Sequence, residues 1–63
     1  MFYKLGDTVT LKDLDYFEEY NCLEFTIIEI YMSFSYRVKR DSFDPIWVTA
    51  KNFAEESDLV GNE

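Results

Sequence analysis

CLEFTIIEIYM, residues 22–32, is the stretch of this 63-residue sequence that decides the fold class. It is rich in β-branched and aromatic residues, which favour the extended backbone of a β-strand. Every second residue from 23 to 27 is apolar, but the same alternation would next bury Glu29. A β-bulge at Ile28 and Glu29 would restore the pattern and bend the strand, so the sequence predicts a bent strand of the kind found in small barrels.

Two other stretches alternate in the same way and flank this strand in the chain. Residues 7–12 place Val9 and Leu11 on one face and therefore predict the first strand. After a short turn, SYRVKR at residues 35–40 alternates again, with Val38 directed inward. These three segments predict an antiparallel sheet.

The last third of the chain predicts two more strands joined by a tight helical turn. DSFDP at residues 41–45 is dense in turn residues. Pro45 suits the first position of the next strand, IWVT, because it cannot donate to an interior ladder. AKNF then predicts one helical turn, and EESDLV predicts a closing strand that contains Leu59. The alternative is a helix over residues 50–59, capped by Thr49.

Residues 12–21 break the strand pattern. Leu14, Phe17 and Tyr20 recur every three residues among acidic side chains, which is compatible with a short helix or with a long excursion between strands. Asn21 is predicted to end this segment because asparagine tolerates the left-handed backbone conformation.

Together these elements predict a mainly β fold, a small five-stranded barrel with a short helical turn before the last strand. A chain of this length has room for one domain, so residues 1–63 are predicted to form a single unit. The predicted core contains Val9, Leu11, Ile27, Ile30, Val38, Val48 and Leu59.

The order of elements resembles that of small SH3-like barrels. The resemblance is carried by LGDTVTL (5–11), TIIEIY (26–31) with YRV (36–38), and WVTAKNF (47–53), and it spans about residues 5–60. The KOW-type branch has a similar G-D-x-V opening, but it places a glycine where this chain has Thr26, and the paired tryptophan of peptide-binding SH3 domains is absent. The resemblance therefore implies a scaffold rather than binding of RNA or of proline-rich peptides.

The net charge of the chain indicates which kind of partner it can bind. Thirteen Asp and Glu residues stand against six Lys and Arg residues, which gives a net charge of −7. General nucleic-acid binding is disfavoured because it needs a positive face, and a protein partner with a basic surface is favoured. Cys22 is the single cysteine, and no stretch has the length of a membrane span, so we expect a cytoplasmic protein without membrane contact.

The amino-acid composition argues against enzymatic catalysis. With no histidine and one cysteine, neither a Cys–His nor a Ser–His pair can be built, and we expect no enzymatic activity and no cofactor. DLDYFEE at residues 13–19 has the acidic density of a calcium loop, but an EF-hand needs glycine at its sixth position, where this chain has Glu18. No metal site is predicted.

The same stretch predicts a protein-binding surface. Aromatic residues supply contact area in such surfaces, and carboxylates steer a basic partner. The alternative is that the apolar residues cap the barrel and the acids are merely solvated. The predicted contact residues are Asp13, Asp15, Tyr16, Phe17, Glu18, Glu19 and Tyr20.

A basic cluster interrupts the acidic chain at residues 37–40. Arg37 and Lys39 face outward and are expected to lie opposite Glu24 or Glu29 of the preceding strand. The alternative is a weak site for single-stranded nucleic acid, in which rings stack on bases and cations neutralise phosphates. That site would consist of Tyr31, Arg37, Lys39 and Arg40.

These features favour a non-enzymatic protein-interaction module, a small acidic adaptor or inhibitor that acts as a monomer or homodimer. Very small, acidic, aromatic-rich domains resemble many phage-encoded host-modulating proteins, including inhibitors of defence nucleases. An alternative is a nucleic-acid mimic whose acidic clusters at 13–24 and 55–63 form one surface. The sequence leaves open whether folding unites them.

Overall fold

The fold is an antiparallel sheet with short helical turns, seen in a computed structural model that describes residues 3–55. Over these residues four strands form the sheet, each paired with its neighbour in sequence, which confirms a mainly β protein. No helix in residues 3–55 has the length and apolar character needed to cross a lipid bilayer. The elements are β1 (Thr8–Thr10), a first 3-10 turn (Glu18–Tyr20), β2 (Glu24–Tyr31), β3 (Ser35–Arg40), β4 (Phe43–Thr49) and a second 3-10 turn (Ala50–Asn52).

The predicted bulge lies where the alternation breaks. Ile27 faces Val38 across β2 and β3, and Glu29 faces Arg37, so Ile28 is the extra residue. Before the bulge Ile27 is buried, and after it Glu29 remains exposed. The prediction of a bulge at Ile28 and Glu29 is confirmed, and it bends β2 without placing a carboxylate in the core.

The core confirms most of the predicted positions. Ile30 is only half-buried and packs against the edge of the core, because it follows the bulge near the end of β2. Leu59 lies outside the described residues. Within residues 3–55 the buried residues are Val9, Leu11, Tyr20, Phe25, Ile27, Tyr36, Val38, Ile46, Val48 and Phe53, which include five of the predicted seven.

Aromatic rings fill much of this core. Phe53 packs edge-on against Tyr3, with ring centroids 4.7 Å apart, and lies 5.2 Å from the ring of Tyr36. Tyr20 stacks on Phe25 with centroids 5.2 Å apart and the ring planes only 9° from parallel. Two aromatic clusters therefore hold the core, which gives a small domain large buried area from few residues.

The chain after β4 returns to β1. Leu11 and Phe53 form an isolated antiparallel bridge. The amide of Lys12 donates to the Asn52 carbonyl at 2.8 Å, and the amide of Ala54 donates to the Thr10 carbonyl at 2.7 Å. Over the residues that the structure describes there are nevertheless four strands rather than the predicted five, and the sheet does not close into a barrel. The predicted closing strand falls mainly on residues outside that range.

Three predicted boundaries are corrected. β1 covers Thr8–Thr10 rather than residues 7–12. β4 begins at Phe43, so Pro45 is its third residue rather than its first. A proline is tolerated at this position because β4 is an edge strand of the described sheet and its pairing with β3 shifts register nearby. The second 3-10 turn confirms the predicted helical turn, but Phe53 is extended, at φ −98° and ψ 123°. The alternative helix over residues 50–59 is therefore wrong in its described part.

Candidate protein-binding surfaces

The segment between β1 and β2 is a loop with a single helical turn. Of the two conformations that the sequence allowed, an excursion is correct, since its only regular element among the described residues is the 3-10 turn Glu18–Tyr20. Asn21 is extended, at φ −64° and ψ 143°. Asn21 does end the 3-10 turn, as predicted, but the left-handed conformation expected of it is found at Cys22 instead, at φ 70°.

The side chain of Asn21 explains this difference because it fixes the base of the loop. Its amide nitrogen donates to the Leu14 carbonyl at 3.0 Å, and its amide oxygen accepts from the Leu14 N–H at 3.0 Å. Both polar groups of one side chain thus bind the backbone of one residue, seven positions earlier. The loop is closed by a two-point contact, in the manner of compact surface loops that pack on their own side chains.

Aromatic side chains attach the closed loop to the sheet. Tyr20 is 5% exposed, and its hydroxyl donates to the Asp44 carbonyl at 3.0 Å. Its ring lies edge-on to Phe43 at 4.9 Å, and half-buried Phe17 lies 5.2 Å from it. Tyr20 is a core anchor, so a role as a contact residue does not fit its burial.

The tip of the loop has the opposite character. Tyr16 is 86% exposed, and its ring rests edge-on against Phe17 with centroids 4.8 Å apart. All four neighbouring carboxylates of the loop are exposed as well. We call this set the acidic loop surface; it consists of Asp13, Asp15, Tyr16, Glu18 and Glu19.

The basic cluster is engaged within the protein. The guanidinium of Arg37 lies 3.4 Å from the Glu29 carboxylate, which confirms the predicted pair across the sheet. Among the residues that the structure describes, Lys39 meets no glutamate: its ammonium donates to the carbonyls of Asp41 at 2.7 Å and Phe43 at 3.1 Å. Arg40 donates to the backbone carbonyl of Glu24 at 3.0 Å. Lys39 and Arg40 therefore stabilise the strand ends with hydrogen bonds to backbone carbonyls.

The outer face of the sheet carries an aromatic pair. Tyr31 is 61% exposed and Trp47 is 49% exposed, and their ring centroids lie 6.5 Å apart. Arg37 faces Trp47 on β4 and Glu29 on β2. Tyr31 is one of the residues predicted for a nucleic-acid site and Trp47 is not, although the alternation of IWVT already places Trp47 on the face opposite to buried Ile46 and Val48.

The turn between β2 and β3, which directly follows Tyr31 in the chain, carries two more exposed apolar side chains. Met32 is 65% exposed and Phe34 is 58% exposed. Met32 and Ser33 both have positive φ, at 58° and 68°, and the Phe34 amide donates to the Tyr31 carbonyl at 3.3 Å. A shallow groove beside the turn is lined by Ser33, Phe34, Tyr36, Thr49, Ala50 and Lys51. We call the following set the outer-face patch: Glu29, Tyr31, Met32, Phe34, Arg37 and Trp47.

Comparison with known proteins finds no matching family model, no matching curated protein and no matching solved structure. Within residues 3–55 no three His, Cys, Asp or Glu side chains are grouped so that they could hold a metal ion. Of the second acidic cluster at 55–63, only Glu55 lies within the described range. The function of the chain is therefore inferred from the acidic loop surface and the outer-face patch.

Proposed function

We propose that this chain is a non-enzymatic protein-interaction module, a small adaptor or inhibitor that presents its acidic loop surface to a basic protein partner. The observation that carries the proposal is Tyr16, a tyrosine 86% exposed at the tip of a loop whose base is fixed. A tyrosine supplies large contact area with only two side-chain torsions to immobilise, and such residues are enriched among binding hot spots.

Preorganisation supports the same role. Asn21 closes the loop on Leu14, and Tyr20 attaches it to the core. A loop held in this way loses little conformational entropy on binding, so more of the contact energy appears as affinity. Solvation alone explains the exposed acids, but it does not explain an exposed aromatic ring on a loop whose base is held by hydrogen bonds.

Charge defines the partner. Asp13, Asp15, Glu18 and Glu19 surround Tyr16 in sequence and are exposed, in a chain whose net charge is −7. Clustered charges of one sign raise the association rate with an oppositely charged surface, and they fix the orientation of encounter. A protein with a basic patch next to an apolar pocket fits both parts of the acidic loop surface.

We further propose that the scaffold is a small SH3-like barrel. Support comes from the bulge in β2, from the 3-10 turn after β4, and from the bridge between Leu11 and Phe53 that returns the chain to β1. A loop on a rigid β scaffold is a common location for binding residues.

The test uses matched baits. The wild-type protein and Tyr16→Ala are immobilised at equal density, a cell lysate is passed over each, and partners retained by the wild type alone are identified by quantitative mass spectrometry. A recovered partner should then bind Tyr16→Ala at least about 2 kcal/mol more weakly, roughly 30-fold in Kd. Tyr16→Phe is the control, since it keeps the ring and should retain most of the affinity.

Charge reversal separates steering from contact. Glu18→Lys with Glu19→Lys should slow association and flatten its dependence on salt, while dissociation changes less. A recovered partner that tolerates every loop substitution, but is lost with Arg37→Ala or Lys39→Ala, would contradict the proposal and place the site on the basic cluster.

A further inference from the structure

The outer-face patch is separate from the acidic loop surface, because the two lie at opposite ends of the sheet. The loop packs through Tyr20 on Phe25 and Phe43, near the starts of β2 and β4. The patch lies at the end of β2, on the following turn, and late in β4. A cluster of large exposed apolar side chains on so small a domain marks a contact surface.

We propose that the patch binds a second copy of this chain, forming a two-fold symmetric homodimer. Charge is the first reason for this choice of occupant. Glu29 is the one acidic residue between Phe25 and Arg40, and the second half of β4, from Pro45 to Thr49, carries no charge. In a chain of net charge −7, this face is where two copies can approach with the least repulsion.

Self-complementarity is the second reason. A two-fold interface uses the same surface on both subunits, so each group must meet its own complement. Glu29 and Arg37 lie side by side on adjacent strands, 3.4 Å apart, with side chains 53% and 41% exposed. A two-fold axis that runs between them, parallel to β2 and β3, places each Glu29 opposite Arg37 of the other copy. The aromatic and methionine side chains around this pair supply the apolar area.

The turn provides a third, independent observation. Met32 and Ser33 both have left-handed backbone conformations, at φ 58° and 68°, a combination that favours Asn-Gly in two-residue hairpin turns. Side chains with a β-carbon are strained there, yet this chain has Met32 and Ser33 at the two positions rather than the asparagine and glycine that suit them. The strained turn displays Met32, whose flexible side chain adapts well to a partner surface.

Sedimentation velocity over a concentration series tests the dimer directly. The wild type should shift from monomer towards dimer as its concentration rises. Tyr31→Ser with Trp47→Ser should remain monomeric over the same range, with circular dichroism showing that it is folded. Tyr16→Ala, on the other surface, should dimerise like the wild type. A failure of the dimer would thus leave the proposed function of the loop untouched, and the converse also holds.

Mixing of charge variants tests the geometry. Arg37→Glu places four carboxylates at the two-fold interface, and Glu29→Arg places four guanidinium groups there, so each variant alone should be monomeric. An equimolar mixture of the two should form a heterodimer, because the opposite charges then face each other although neither subunit has its own internal pair. Restoration only on mixing is not expected from any effect on the stability of single subunits.

Three outcomes overturn the proposal. The first is a wild type that stays monomeric at every concentration, and the second is a mixture that stays as monomeric as its components. The third is a monomer that binds a labelled oligothymidine strand, with binding lost in Tyr31→Ser with Trp47→Ser. In that case the aromatic pair is a stacking platform for single-stranded nucleic acid.

Discussion

Two tyrosines in one loop, Tyr16 and Tyr20, have opposite environments, and this contrast gives a sharp test of the structure. Tyr16 is 86% exposed and Tyr20 is 5% exposed. Tyr20 shares the three-residue spacing of Leu14 and Phe17 and Tyr16 does not, yet both tyrosines were predicted to be contact residues. The structure instead predicts that substitutions at Tyr20 change stability, whereas substitutions at Tyr16 leave it almost unchanged.

The magnitudes follow from the contacts. Tyr20→Phe removes the hydrogen bond from its hydroxyl to the Asp44 carbonyl, 3.0 Å long and partly buried, which costs about 0.5–1.5 kcal/mol. For a domain of this size each kcal/mol lowers Tm by roughly 4–8 °C. Tyr20→Ala also removes the ring that stacks on Phe25 and contacts Phe43, at a cost of about 3–5 kcal/mol. That loss is comparable with the total stability of such a chain, about 3–9 kcal/mol, so this variant should be largely unfolded.

Urea denaturation followed by far-ultraviolet circular dichroism measures all three variants on one scale. Tyr16→Ala should lie within about 0.5 kcal/mol of the wild type. Tyr20→Phe should unfold at lower urea with an unchanged slope, since the exposed area is the same. A Tyr16→Ala protein that is less stable than Tyr20→Phe, or a well-folded Tyr20→Ala protein, would refute the assignment of Tyr20 as the anchor of the loop.

Other substitutions test the bulge, the turn and the loop base. Ile27→Ala should cost about 2–5 kcal/mol in unfolding free energy because Ile27 is fully buried. Ile30→Ala should cost distinctly less because Ile30 is half-buried. Equal losses would mean that the bulge is misplaced. Met32→Asn with Ser33→Gly, made in the monomeric Tyr31→Ser, Trp47→Ser background so that no dimer contact is lost, should raise stability by about 1 kcal/mol in thermal melts. Asparagine and glycine both suit positive φ, and a loss of stability would contradict the strained turn. Asn21→Ala should cost about 1–3 kcal/mol in unfolding free energy and speed hydrogen exchange of the Leu14 amide. Asn21→Asp should have an intermediate effect, because its carboxylate still accepts a hydrogen bond from the Leu14 N–H. Unchanged exchange would show that the loop base does not depend on Asn21.

The sheet was predictable from the sequence because alternation is a local signal with a fixed period. The break after Ile27 predicted the bulge, since the alternative was to bury the carboxylate of Glu29. Burial of Val9, Val38 and Val48 followed from the same pattern. Such positions are determined by the face of one strand and need no knowledge of distant residues.

The loop and the aromatic clusters were not predictable in this way, because their environments depend on residues far away in the chain. Tyr20 is buried because Phe25 and Phe43, from two different strands, lie beside it. Phe53 is buried because the second 3-10 turn returns the chain to Leu11. The conformation of Asn21 depends on its contact with Leu14, and no helix-stop preference anticipates that contact.

The two proposed surfaces together imply a bivalent protein. The outer-face patch lies at the end of the sheet away from the acidic loop surface, so a dimer formed through the patch leaves both copies of Tyr16 exposed. Two linked sites bind a surface that displays several partner molecules more tightly than one site does, without any new contact. The monomeric Tyr31→Ser, Trp47→Ser variant should therefore dissociate much faster than the wild type from a densely immobilised partner, yet match its affinity for that partner in solution at low concentration. Equal dissociation from the dense surface would mean that the two copies do not act together, even if both surfaces bind as proposed.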